Sequence, residues 1–142
     1  MQITHSLPDL LGPNLRVFFV GDNPGLTTQS HGHHYSHKSN HFWPLLYESG
    51  LIDKPLKPID DHLLPIKYRL GLSCLVSRAT SSSHELGDQE LIDGFKVMVN
   101  KINACNPQIV CFNGKGIFEK LTGKKLTRVT SLHFCLQKLN NF

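Results

Sequence analysis

Short, unbroken apolar runs recur along this chain, each stopped by glycine or polar residues. The first is Arg16-Val17-Phe18-Phe19-Val20, halted by Gly21. A run without polar alternation predicts a strand buried on both faces, as in a parallel sheet. Leu70-Gly71-Leu72-Ser73-Cys74-Leu75-Val76 and Gln108-Ile109-Val110-Cys111-Phe112 read the same way. Residues 127–136, rich in β-branched and apolar side chains, predict a fourth strand. Between these runs the period changes. Residues 88–103 carry Leu91, Ile92, Phe95, Val99 and Ile102 as a helical stripe, with Asp88 as the cap and Pro107 beyond the end. Residues 41–49 predict a helix with Pro44 in its first turn. Residues 60–68 predict a short helix and 114–121 another, while 25–40 and 77–83 read as polar loops. Strands alternating with helices predict an α/β fold.

Composition narrows the class. The chain has 142 residues, 39% apolar and 18% charged, which suits one globular domain with a real core. Its net charge of +4, with nine histidines besides, is compatible with a polyanionic partner without requiring one. The four cysteines, Cys74, Cys105, Cys111 and Cys135, show no C-x-x-C spacing. They read as free thiols, three of them in apolar runs, in a reducing, intracellular compartment. The first residues lack the pattern of a signal peptide, and no apolar run has the length of a membrane span.

Three segments fall where an open α/β sheet binds ligands, beyond the carboxyl ends of its strands: residues 21–25, 77–83 and 113–116. Gly21-Asp22-Asn23-Pro24-Gly25 is a tight turn that aims backbone N–H groups and an amide at one point. A plain strand-to-helix turn is the alternative, and neither the dinucleotide fingerprint nor a P-loop is present. Asn113-Gly114-Lys115-Gly116 opens a helix and suits an anion. Residues 31–41 hold five histidines, which raises a metal site; no cysteine or carboxylate within the segment completes one. The same segment suits a nucleic acid, with Tyr35 to stack, Asn40 to read a base edge and Lys38 to meet phosphate.

In order and spacing, these stretches resemble the mismatch-specific uracil/thymine-DNA glycosylases, a branch of the uracil-DNA glycosylase superfamily. The resemblance rests on Leu7-Pro8-Asp9-Leu10-Leu11, Val20-Gly21-Asp22-Asn23-Pro24-Gly25-Leu26, Gly32-His33-His34-Tyr35 and Asn40-His41-Phe42-Trp43. It continues through Leu46-Tyr47-Glu48-Ser49-Gly50-Leu51, Asp60-Asp61-His62 and Phe112-Asn113-Gly114-Lys115-Gly116. It implies a three-layer α/β/α sandwich on a short, mainly parallel four-stranded sheet. It also implies hydrolysis of the bond between sugar and uracil, or thymine opposite guanine, in double-stranded DNA. No metal or other cofactor is implied, and the protein would act as a monomer, away from membranes, in the nucleus if the source is eukaryotic.

The implied catalytic residues are Asn23 and His34. Gly21, Asp22, Pro24, Gly25, Tyr35, Asn40, Ser73 and Asn113 form the base pocket, and Lys38, Lys115 and Gly116 meet phosphate. The residue types agree with the chemistry: N–H dipoles meet the charge on a departing pyrimidine, and the Asn23 carbonyl holds a water.

Three departures from the family pattern stand out. Asp22 replaces an apolar residue and, by alternation, is expected to face away from Asn23. Ser36-His37-Lys38-Ser39 replaces a Gly/Pro-rich turn, and Cys74 an asparagine. The family's second motif, a phosphate-gripping loop with a wedge, and its closing helix have no counterpart in residues 137–142. Weak or absent cleavage of duplex DNA, with reduced stability, is therefore the expectation. The rival readings are an inactive DNA-binding remnant of this fold, a histidine-loop metal module and a small nucleotide-binding enzyme.

Overall fold

In a computed structural model, residues 6–123 and 135–138 are described, with only the backbone given for Lys115 and for 135–138. The three apolar runs form parallel strands: β1 (Val17–Gly21), β2 (Leu70–Cys74) and β3 (Ile109–Phe112). β1 lies in the middle, with β2 on one side and β3 on the other. Its registers set Gly21 beside Cys74 and Val20 beside Phe112, so all three strands end at one edge. A further strand, β4 (Cys135–Lys138), pairs antiparallel with β3. The rest of the stretch expected as the fourth strand, 127–134, lies outside the described residues.

Strand alternation divides the core into two layers. Phe18, Val20, Val110 and Phe112 face one side. There they pack against Leu91, Met98 and Ile102 of α3 (Asp88–Cys105) and Phe118 of α4 (Lys115–Thr122). Val17, Phe19, Leu70, Leu72 and Cys111 face the other, against Phe42, Trp43 and Leu46 of α2 (Phe42–Glu48) and Ile52, Leu56 and Leu64 beyond it. The architecture is an α/β sandwich, as the alternation of periods implies. The outer edge of β2 is closed by Leu10, which exchanges two backbone hydrogen bonds with Leu72.

Four elements differ from the sequence expectation. Leu26–His31, expected as loop, is a short helix, α1, entered through Gly25 and left through Gly32 in the left-handed region. Residues 60–68 are not one helix. A 3-10 turn over Pro58–Asp60 precedes a π-type turn over Leu64–Tyr68 that contains Pro65. In α3 the cap is Gly87, whose N–H is taken by the Glu90 carboxylate at 2.9 Å, while Asp88 pairs with Lys120. The buried stripe of α3 runs through Leu91, Met98, Ile102 and Cys105, and Ile92 turns outward to 43% exposure.

The rotation of α3 follows from Gly94. A Cβ there would lie 2.1 Å from the Leu75 carbonyl oxygen. The helix therefore rests its backbone on the chain leaving β2, and its large side chains fall on either side of that contact.

Candidate active site

The common strand edge gathers the three loops that the sequence singled out. Backbone bonds join the first two side by side. Leu75 N–H donates to the Gly21 carbonyl, Val76 N–H to Asp22 and Thr80 N–H to Pro24. Asn113 N–H donates to Val20 and brings in the third loop. Between these loops and the segment after α1 lies a cleft of about 530 Å³. Gly21, Asp22, Asn23, Pro24, Gly25, His34, Tyr35, Asn40 and Asn113 all line it, with Thr28, His37, Cys74 and residues 80–83.

Asn23 is held by its amide nitrogen. That nitrogen donates to the Arg78 carbonyl and to Thr80 Oγ1, each at 2.8 Å. Thr80 is itself buried and donates to the Ser82 carbonyl. Both amide hydrogens are thereby spent on the neighbouring loop, and Asn23 Oδ1 accepts no hydrogen bond from the described residues. The backbone N–H groups of Asp22 and Asn23 likewise form none among the described residues. An acceptor and two donors stand at one wall of the cleft.

Asp22, expected to face away from Asn23, lines the same cleft as Asn23, because the chain has already left the strand. Asp22 leans toward Gly114, where an added Cβ would come within 3.3 Å of Oδ1. Gly114 adopts φ +144°, a conformation open to glycine. Burial pushes the Asp22 carboxyl up to about 6, and the Ser83 hydroxyl pulls it back only in part.

Tyr35 and Asn113 form the floor. The Tyr35 ring stacks on Phe42 at 4.1 Å, and its hydroxyl lies 2.5 Å from the Asn113 amide nitrogen. The other end of that amide, Oδ1, is buried without a partner among the described residues. Burial drives the phenol far above its usual range and lifts the Cys74 thiol to about 12, so both are neutral. Asn40 spends its carbonyl on the Phe42 N–H at 2.9 Å, which leaves its amide hydrogens for the cleft.

His34 stands differently from its implied role. It is 3% exposed, and its Nε2 lies 2.7 Å from the Pro8 carbonyl. A carbonyl only accepts, so Nε2 carries the proton. Burial holds the ring below its usual pKa despite that contact. Its N–H donates to Asp61 and its carbonyl accepts from Trp43. His34 is a neutral wall that ties the N-terminal segment to the cleft.

Other implied residues lie elsewhere. Ser73 does not reach the cleft; its hydroxyl donates to Asp9 at 2.6 Å, and Asp9 in turn pairs with Lys101. As the penultimate residue of β2 it is buried, one position short of the strand edge. Lys38 is exposed and Gly116 sits in the first turn of α4, both outside the cleft lining. Lys115 opens α4.

The residues that sequence reasoning missed are Thr80, which fixes Asn23, Ser83, whose hydroxyl moderates the Asp22 carboxyl, and Asp61, which holds the histidine segment. Thr80 and Ser83 fall in or at the end of the polar stretch after β2, the one signal that pointed to them.

The histidines are dispersed. His33 meets Asp61, His34 meets Pro8 and His37 meets Ser39. Among the described residues no group of three His, Cys, Asp or Glu side chains is placed to hold a metal, and no helix is long and apolar enough to cross a membrane.

A half-buried asparagine carbonyl, free N–H donors and an aromatic floor at the carboxyl edge of a parallel sheet form a site able to grip a flat polar ring and a water together. The family model of the uracil DNA glycosylase superfamily matches residues 8–139, from the segment that closes β2 through β4. The chain belongs to the uracil DNA glycosylase superfamily.

Proposed function

We propose that this protein excises uracil, or thymine mispaired with guanine, from double-stranded DNA. Superfamily membership supports DNA glycosylase activity in general. The choice of mispaired base rests on the resemblance of residues 7–121 to the mismatch-specific branch. The observation that carries the mechanism is the tethering of the Asn23 amide nitrogen by Arg78 and Thr80, which leaves Oδ1 to accept.

The flipped base enters the cleft over the Tyr35 ring. The Asn23 carbonyl accepts from a water and holds it against the sugar carbon. An amide does not titrate, so it orients the water rather than deprotonating it. Charge that builds on the departing base meets the N–H groups of Asp22 and Asn23 and the amide hydrogens of Asn40. Lys38 and Lys115 are assigned to phosphates outside the cleft. The protein works on duplex DNA as an intracellular monomer.

The test uses duplexes with a G·U or G·T mismatch, treated with alkali after incubation to cut at abasic sites. Cleavage by the wild-type protein that is lost in Asn23→Ala supports the reading. Duplex binding with no cleavage would replace it with a DNA-binding remnant of the same fold.

A further inference from the structure

Among the described residues lining the cleft, Asp22 is the only acidic side chain, and none is a lysine or arginine. Its carboxyl lies beside Gly114, where an added Cβ would meet Oδ1 at 3.3 Å, and the next residue, Asn23, is held by its own amide on the loop after β2. We propose that Asp22 is the general acid of this site, giving its proton to the base as the bond to the sugar breaks. The inference rests on the glycosylase reading above and adds a residue and a step to it.

The placement argues for an acid rather than a base. The water belongs with Asn23 Oδ1, whereas the Asp22 carboxyl lies against Gly114, next to Asn113 of the Tyr35–Asn113 floor on which the base would lie. An ionised carboxylate there would oppose a departing anion in a partly dry site. A neutral carboxyl removes the conflict, because it turns the leaving group into a neutral base.

The facing groups favour that neutral form. Tyr35 from the segment after α1 and Cys74 at the end of β2 are both uncharged. His34 is neutral, and Ser83 offers a hydroxyl. His37 completes the titratable lining, and Lys115 begins α4 one residue beyond Gly114. Burial keeps the carboxyl protonated up to about pH 6.

The step balances as follows. The O–H bond of Asp22 breaks and the proton goes to an oxygen or ring nitrogen of the base. The glycosidic electron pair leaves with the base, which departs neutral. The sugar carbon takes the water held by Asn23, the proton released by that water goes to solvent, and solvent reprotonates the Asp22 carboxylate. The sum is one water consumed, one free base and one abasic sugar.

The experiment compares single-turnover cleavage of G·U duplexes with duplexes carrying 5-fluorouracil opposite guanine, from pH 5 to 8, for wild type and Asp22→Asn. Fluorine stabilises the base anion, so 5-fluorouracil needs less help from an acid. The wild-type rate on uracil should fall as pH rises through about 6. Asp22→Asn should lose about 100-fold on uracil, within the usual range for general acid catalysis, and under about 10-fold on 5-fluorouracil. Its rate should be flat with pH. The ratio of the two substrates within one variant does not depend on the fraction folded. Equal losses on both bases, or a flat wild-type profile, would overturn the role of Asp22 and leave the glycosylase reading standing. No cleavage of either duplex by the wild type would overturn both.

Discussion

Replacing Gly94 by alanine tests whether the α3 contact at β2 sets the site. In an ordinary exposed helix this change is stabilising by about 1 kcal/mol, because alanine is the better helix former. Here the added carbon would stand 2.1 Å from the Leu75 carbonyl oxygen and 2.9 Å from its carbon, both backbone atoms. A carbon and a carbonyl oxygen settle at about 3.3 Å or more, so helix and strand end must part by about 1 Å. Overpacking of this kind costs about 1–3 kcal/mol. The net expectation is destabilisation of up to about 2 kcal/mol after the helix gain is subtracted. The strain falls on residues 75 and 76, whose N–H groups hold the carbonyls of Gly21 and Asp22. Uracil cleavage should therefore drop as well. Urea denaturation followed by circular dichroism reads the first effect, and single-turnover cleavage reads the second. A Gly94→Ala protein more stable than wild type by about 1 kcal/mol, the ordinary helix gain, would refute the close approach and the account of α3 built on it.

Further outcomes follow from the cleft. Asp22 has a folded-state pKa of about 6 against 3.8 unfolded, so the unfolded chain releases its proton first. Stability should then fall as pH rises from about 4 to 6 and stay lower above. Asp22→Asn should be more stable than wild type by about 1–2 kcal/mol at pH 7.5, less than the full shift implies because the carboxyl is partly solvated, with the gain gone below pH 4. Thermal melts across pH measure it. Tyr35→Phe removes the hydroxyl at Asn113 and should cost about 1–2 kcal/mol in urea denaturation. Lys115→Ala should weaken binding to a G·U duplex and lower the slope of log K against log salt by about 1, measured by fluorescence anisotropy.

The strands were legible because they are buried on both faces. Val17 to Val20 and Ile109 to Phe112 have no polar position to hide their length. α1 was not legible, since Leu26, Thr27, Thr28, Gln29, Ser30 and His31 bury only Thr28, and no apolar face announces a helix. Its residues Leu26, Thr27 and Thr28 border the cleft. In α3 the period was readable but its phase was not, because Gly94 meets a backbone carbonyl from a distant segment.

The same limit applies at the site. The turn at Asn23 stands out by its glycines and proline. The contacts that fix its amide come from residues 55 and 57 positions away, which no local pattern encodes. Ser73 was misplaced by one position, since a single step along β2 decides between an inner tie to Asp9 and the strand edge. His34 matched by position, but only its partner Pro8 reveals that the ring is engaged.

The central claim is that the Asn23 carbonyl holds the attacking water. Single-turnover release of uracil from a G·U duplex by wild type, Asn23→Ala and Asn23→Asp tests it most directly, with melting temperatures to confirm folding. The account predicts release by wild type, a loss of about 100-fold or more in Asn23→Ala, and recovered activity in Asn23→Asp, whose carboxylate also accepts from water. Release by Asn23→Ala at the wild-type rate would contradict it.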